Sequence, residues 1–163
     1  MILTQHKVLL AGIVVVCATA QLTGCRRKKE TLYDPTRVVA EQMETAYKEA
    51  EQTNKSILVV FGGDWCSWCM RLHEVFLTDP AVSATINRQY VVVYVDSDSN
   101  VGFARHCKAQ IESVPYLTIL DSSGQVLVNQ RTEPFESGRT YNMGKLQAFL
   151  DSYGPAAAPP KSE

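Results

Sequence analysis

FGGDWCSWCMRLH, Phe61 to His73, follows directly on an apolar run, Ile57 to Phe61. Five consecutive apolar residues have strand length and no polar face, the pattern of a strand buried on both sides of a sheet. The chain then turns through Gly62-Gly63-Asp64 and enters a second segment carrying Met70, Phe76 and Leu77 as core candidates. That segment reads as a helix beginning near Cys66. Two cysteines two residues apart, each preceded by a tryptophan, therefore stand where a central strand hands over to a helix.

This placement has a chemical meaning. Unpaired N–H groups and the positive end of the dipole lie at a helix start and favour a thiolate on Cys66. The thiolate is the nucleophile of disulfide exchange, and its pKa falls at helix N-termini and in Cys-x-x-Cys pairs. Cys69, one turn on, is near enough to close a small ring with Cys66. Cys66 would attack a disulfide, and Cys69 would resolve the mixed disulfide. A structural zinc site wants four ligands, and no second cysteine pair exists. Haem attachment requires a histidine directly after the second cysteine, where Met70 stands. A static bridge remains open, although so small a loop gains little entropy. No metal and no organic cofactor is expected.

Outward from the motif, Val39, Met43, Ala46, Tyr47 and Ala50 recur at helical spacing, after Asp34-Pro35 as N-cap and first turn. Asp79-Pro80 restarts or kinks the helix after the motif. Tyr90 to Val95 reads as a second buried strand, 96–100 as a polar loop and Val101 to Ala109 as a helix. Tyr116 to Leu120 and Gln125 to Asn129 make a hairpin around Asp121-Ser122-Ser123-Gly124. Leu146, Phe149 and Leu150 mark a last helix. Strands joined through helices imply parallel pairing, with the hairpin adding an antiparallel edge. The fold class is α/β, a central mixed sheet flanked by helices.

Trp65-Cys66-Ser67-Trp68-Cys69 after an apolar strand, with Val114-Pro115-Tyr116 before the hairpin, resembles the thioredoxin superfamily over 34–152. The added N-terminal helix, together with Phe61-Gly62-Gly63-Asp64-Trp65-Cys66, resembles exported thioredoxin-like domains such as that of the thiol:disulfide interchange protein DsbD. The resemblance implies a thiol:disulfide oxidoreductase, a cis Pro115 facing the cysteines, and a Val114 backbone open to a substrate peptide. Trp65, Trp68 and Tyr116 would form an apolar collar for that peptide. The chain departs from thioredoxins in having Val60 where an acidic residue is usual. His73, at i+4 from Cys69, is a candidate proton acceptor, weighed against a plain surface histidine. Strong oxidants of the superfamily often carry histidine between the cysteines; Ser67-Trp68 has none, so the reductase or isomerase direction is expected. A non-catalytic module on the same scaffold, holding a protein partner or copper, is the alternative reading.

The N-terminus carries an address. Lys7 precedes an apolar stretch from Val8 to Ala20, too short for a membrane span of about 20 residues. Leu22-Thr23-Gly24-Cys25 resembles a bacterial lipobox, which implies cleavage before Cys25 and lipid on its sulfur. Arg26 to Lys29 follow at once and suit anionic headgroups. The expected organisation is a signal peptide over 1–24, a charged tether over 25–33, the thioredoxin-like domain over 34–153 and a Pro/Ala-rich tail over 154–163. The chain has a formal net charge of -1, and removing residues 1–24 takes Lys7 and no acid, which argues against nucleic acid as a partner. Expected partners are envelope protein thiols and disulfides, a membrane or envelope redox protein, and a bilayer through Cys25. Cys107 is left as an unpaired thiol, read as buried and inert.

Overall fold

The computed structural model describes residues 31–155. The expected signal peptide, Cys25, the basic run and the residues after Pro155 lie outside them. The elements in order are α1 (Val39–Thr53), β1 (Ser56–Gly62), α2 (Ser67–Thr78), α3 (Pro80–Gln89), β2 (Tyr90–Asp96), α4 (Val101–His106), β3 (Tyr116–Leu120), β4 (Val126–Arg131), a 3₁₀ turn (Glu133–Phe135), β5 (Glu136–Ser137), β6 (Thr140–Tyr141) and α5 (Met143–Tyr153). β2, β1, β3 and β4 form one sheet in that order, and β5 and β6 a separate ribbon.

β1 is buried along its whole length. Its side chains alternate between two cores. Leu58 and Val60 pack with Leu72, Phe76, Ile86, Leu146 and Leu150, on the face covered by α2, α3 and α5. Ile57, Val59 and Phe61 pack with Met43, Ala46, Ala50 and Ala104, on the face covered by α1 and α4. A strand feeding two apolar layers cannot carry a polar face, which is why its sequence is a run and not an alternation.

β1 pairs parallel to β2, but antiparallel to β3. The expectation that helix-linked strands run parallel thus fails between β2 and β3. α4 has only six residues, about 9 Å of helix, against about 23 Å for a seven-residue strand. It covers part of one sheet face and does not itself run the length of the sheet. The chain re-enters at the end it left, and Tyr116 pairs with Phe61. Pro115 therefore arrives beside the turn that follows β1.

Several local expectations are corrected. Asp34 does not cap α1, which starts at Val39 with Val38 at its N-cap. Asp34 closes a turn instead, accepting from the Thr36 N–H at 2.9 Å and the Thr36 hydroxyl at 2.6 Å. Tyr33, assigned to the tether, is a core residue, and Leu32 packs on the same core. In α2 the buried residues are Cys69, Leu72, Val75 and Phe76, while Met70 and Leu77 are exposed. Met70 and Leu77 lie seven apart and share a stripe, but that stripe faces away from the sheet. Asp79 does restart the helix: its carboxylate accepts from the N–H groups of Ala81 and Val82, at 3.1 and 2.9 Å. The 3₁₀ turn and the β5–β6 ribbon had no counterpart in the sequence reading.

Candidate active site

Cys66 is the N-cap of α2. Its N–H donates to the Gly63 carbonyl at 3.0 Å, closing the turn, and its own carbonyl accepts from Met70 at 3.1 Å. Its Sγ accepts from the Cys69 N–H at 3.1 Å. A sulfur in this position meets the first unpaired N–H groups of the helix, which lower the free energy of a thiolate. Cys66 and Cys69 are joined as a disulfide with their Cα atoms 5.2 Å apart. The two are not equivalent: Cys66 is 7% exposed and Cys69 is 0% exposed. Of the two, only Cys66 keeps any exposure to solvent.

The Val114–Pro115 bond is cis, as the resemblance implies. The Val114 carbonyl stands 3.6 Å from Cys66 Sγ, so the residue before Pro115 borders the first sulfur of the pair. The Thr132 hydroxyl donates to the Pro115 carbonyl at 2.9 Å and fixes the loop from behind. Thr132 is 1% exposed, and nothing in its sequence neighbourhood marked it. A groove of about 550 Å³ opens next to this corner, between Trp65, Val101, Arg105, Glu112 and Val114.

The two tryptophans differ. Trp65 is 66% exposed and forms one wall of the groove. Trp68 packs against the core edge. Its ring meets Tyr141 edge-on at 5.2 Å between centroids, and Arg71 Cζ lies 5.0 Å above it. The Tyr141 hydroxyl donates to the Trp68 carbonyl at 3.2 Å. The β5–β6 ribbon thus exists at the site to hold the dipeptide between the cysteines, through a residue the sequence reading did not single out. Tyr116 does not belong to the expected collar. It is 5% exposed and packs in the α1-side core, because its strand register puts it opposite Phe61.

His73 follows Cys69 by one turn, but its Nδ1 is hydrogen-bonded to the Tyr94 hydroxyl at 2.8 Å, with the rings edge-on at 5.2 Å. Partial burial pushes its pKa down. The structure brings it to Tyr94, not to Cys69. Cys107 is free and buried, and burial pushes its thiol up to about 11. A thiol with that pKa is almost wholly protonated near neutrality and makes a poor nucleophile. Among the described residues no group of three or more His, Cys, Asp or Glu is placed to hold a metal.

Tyr33 completes the site from below. Its N–H donates to Asp64 Oδ1 at 3.0 Å, tying the segment before α1 to the turn before the cysteines. Its ring is 2% exposed and meets Tyr94 edge-on at 5.4 Å. A Cβ placed on Gly62 would stand 2.7 Å from Cys69 Sγ and 2.9 Å from Tyr33 Cζ. Tyrosine and sulfur crowd the same point, and only glycine fits between them.

Comparison with known proteins agrees with this architecture. A family model described as thioredoxin-like matches residues 37–122. The chain is similar to the solved structure of a disulphide isomerase from Xylella fastidiosa Temecula1, with 22% identity and a TM-score of 0.61, over 76% of this chain and 97% of that one. It is also similar to a thioredoxin h from poplar, with 21% identity and a TM-score of 0.50, over 73% and 95%. At these identities the likeness is one of fold. A search of curated proteins finds no match.

Proposed function

We propose, since this chain belongs to the thioredoxin-like family, that its work is thiol–disulfide exchange with proteins of a bacterial cell envelope. The observation that carries this reading is the asymmetry of the pair: Cys66 reachable at a helix N-cap, Cys69 fully buried behind it at bonding distance. A structural bridge has no use for one accessible sulfur, an adjoining groove and an exposed tryptophan on its rim. A partner's thiolate attacks Cys66 Sγ, Cys69 leaves, and a second thiolate completes transfer of two electrons; the reverse sequence reduces a partner's disulfide. The groove beside Val114 and Trp65 suits an extended peptide, held through backbone hydrogen bonds to the Val114 edge. The reductase or isomerase direction is the one we assign, on the absence of histidine between the cysteines.

The test is equilibration in glutathione buffers of graded ratio, read by alkylation and mass. A reversible two-electron transition within the range of known couples, about −270 to −120 mV, is the expected result. A pair that stays bridged at every ratio would reduce the protein to a scaffold.

The lipobox-like Leu22 to Cys25 supports anchoring through lipid at Cys25, with the domain on the periplasmic or outer side. Several chains on one residue hold a protein stably where a single acyl chain does not. Cys25→Ala is expected to move the protein from the membrane to the soluble fraction. Retention at the membrane with an unmodified N-terminus would dismiss the anchor.

A further inference from the structure

The Tyr33 hydroxyl is buried and has no hydrogen-bond partner among the described residues in the disulfide form. A buried donor left unpaired is costly, and in a folded protein it calls for an explanation. Its neighbour supplies one. The carbon that bears this hydroxyl and Cys69 Sγ both border the same point over Gly62, at 2.9 and 2.7 Å. We propose that Tyr33 is the hydrogen-bond donor to Cys69 when the disulfide is open, and that it serves the dithiol form of the site only. This rests on the exchange reaction proposed above.

The need for such a donor follows from the site. Reduction turns Cys69 from half of a neutral bridge into a thiol that must act as a thiolate. Burial disfavours that charge, and Cys69 is fully buried. The polar side chains of the neighbouring turns are turned to other partners. Val60 lies in the same core and carries no polar atom in its side chain. His73 Nδ1 is bound to the Tyr94 hydroxyl, and the Asp64 side chain is exposed, with Oδ1 accepting from the Tyr33 N–H. The phenol remains. Burial, then the neighbouring Tyr94, Tyr141 and Asp64, push its pKa upward, so it keeps its proton and donates a hydrogen bond without giving the proton away. In resolution the Cys69 thiolate attacks Cys66 Sγ, and the Cys66–Cys69 bond forms. The bond from Cys66 to the partner breaks, and the partner leaves as a thiolate that takes a proton from water. Two electrons pass from the dithiol to the partner. The Tyr33 hydroxyl holds Cys69 ionised before the attack and is released unpaired after it.

The role predicts opposite effects in the two redox states. Tyr33→Phe removes one oxygen that has no partner in the oxidised protein, so oxidised Tyr33→Phe should unfold no earlier than the wild type. Its reduced form should lose stability, and its equilibrium with glutathione should move about tenfold toward the disulfide, the gain expected from a hydrogen bond to a charged group. For a two-electron couple that is about 30 mV more negative. With Cys66→Ser as background, leaving Cys69 to titrate at the site, Tyr33→Phe should raise the Cys69 pKa by about one unit, read by thiolate absorbance. Equal stability changes in both states, or a glutathione equilibrium and Cys69 titration matching the parent proteins, would overturn the role. A wild-type measurement covers a variant that misfolds: the tyrosine Raman doublet should move toward the donor form on reduction, and an unchanged doublet counts against the proposal. Failure of wild-type exchange with glutathione would instead reject the proposed function itself.

Discussion

Cys66→Ser abolishes exchange in the expected result, lowering the rate by roughly three orders of magnitude or more. Cys69→Ser does something different: it leaves the first step intact and stops the second. The asymmetry comes from burial. Cys66 sits at the helix N-cap, where its sulfur accepts an N–H at 3.1 Å and the residue keeps a small exposed surface. Cys69 has none, so it can attack only a bond that Cys66 has already formed. A protein with Cys69→Ser, quenched in acid after mixing with a disulfide peptide, should carry that peptide on Cys66, and the adduct should outlive the wild-type intermediate by orders of magnitude. The site of attachment is read by mass after digestion. Attachment to Cys107 would contradict its burial and its raised pKa. Attachment to Cys69 in the Cys66→Ser protein at a comparable rate would mean that the buried sulfur is reachable, and the division of roles would fall.

What the sequence disclosed and what it hid follow from the range of the interactions concerned. β1 was legible because a strand buried on both faces must be apolar throughout, whatever covers it. The Asp79-Pro80 restart was legible because a cap is a contact between residues two and three apart. The two cysteines were legible because their chemistry depends on one helical turn. The hidden parts depend on contacts far apart in the chain. Tyr33 joins the core through partners far along the chain: Asp64, 31 residues on, binds its N–H, and Tyr94 meets its ring. Tyr141 supports Trp68 across 73 residues, through a ribbon of two-residue strands too short to show a period. The α2 stripe holding Met70 and Leu77 has the same spacing as the buried one, and only the position of the sheet chooses between them. Tyr116 looked like a rim residue beside Pro115, until the antiparallel register with Phe61 turned it into the core. No short-range signal could have distinguished these cases.

Gly62→Ala should destabilise the domain by about 1–3 kcal/mol and slow exchange. Gly62 is the last residue of β1 and is held to the end of β2: it pairs with Asp96, and its carbonyl accepts from the Ser97 N–H at 2.9 Å. The backbone cannot retreat without breaking that edge. The neighbours cannot retreat either. Cys69 is fully buried, and Tyr33, 2% exposed, is held edge-on by Tyr94. A methyl group therefore lands 2.7 Å from one and 2.9 Å from the other, closer than packed atoms stand. The conformation of the chain is not the obstacle, in contrast to Gly124, whose φ is 89°; the obstacle is occupied space. Equilibrium unfolding in urea measures the loss, and relief of crowding identifies its source. If the clash with the ring dominates, Gly62→Ala combined with Tyr33→Leu should cost less than the sum of the single changes, with a coupling of about 1 kcal/mol or more. If the clash with sulfur dominates, the loss should shrink on reduction, when Cys69 is no longer bonded to Cys66. A Gly62→Ala protein as stable and as active as the parent would show that strand, tyrosine and sulfur have slack at this point, and the tight floor beneath the disulfide would not exist.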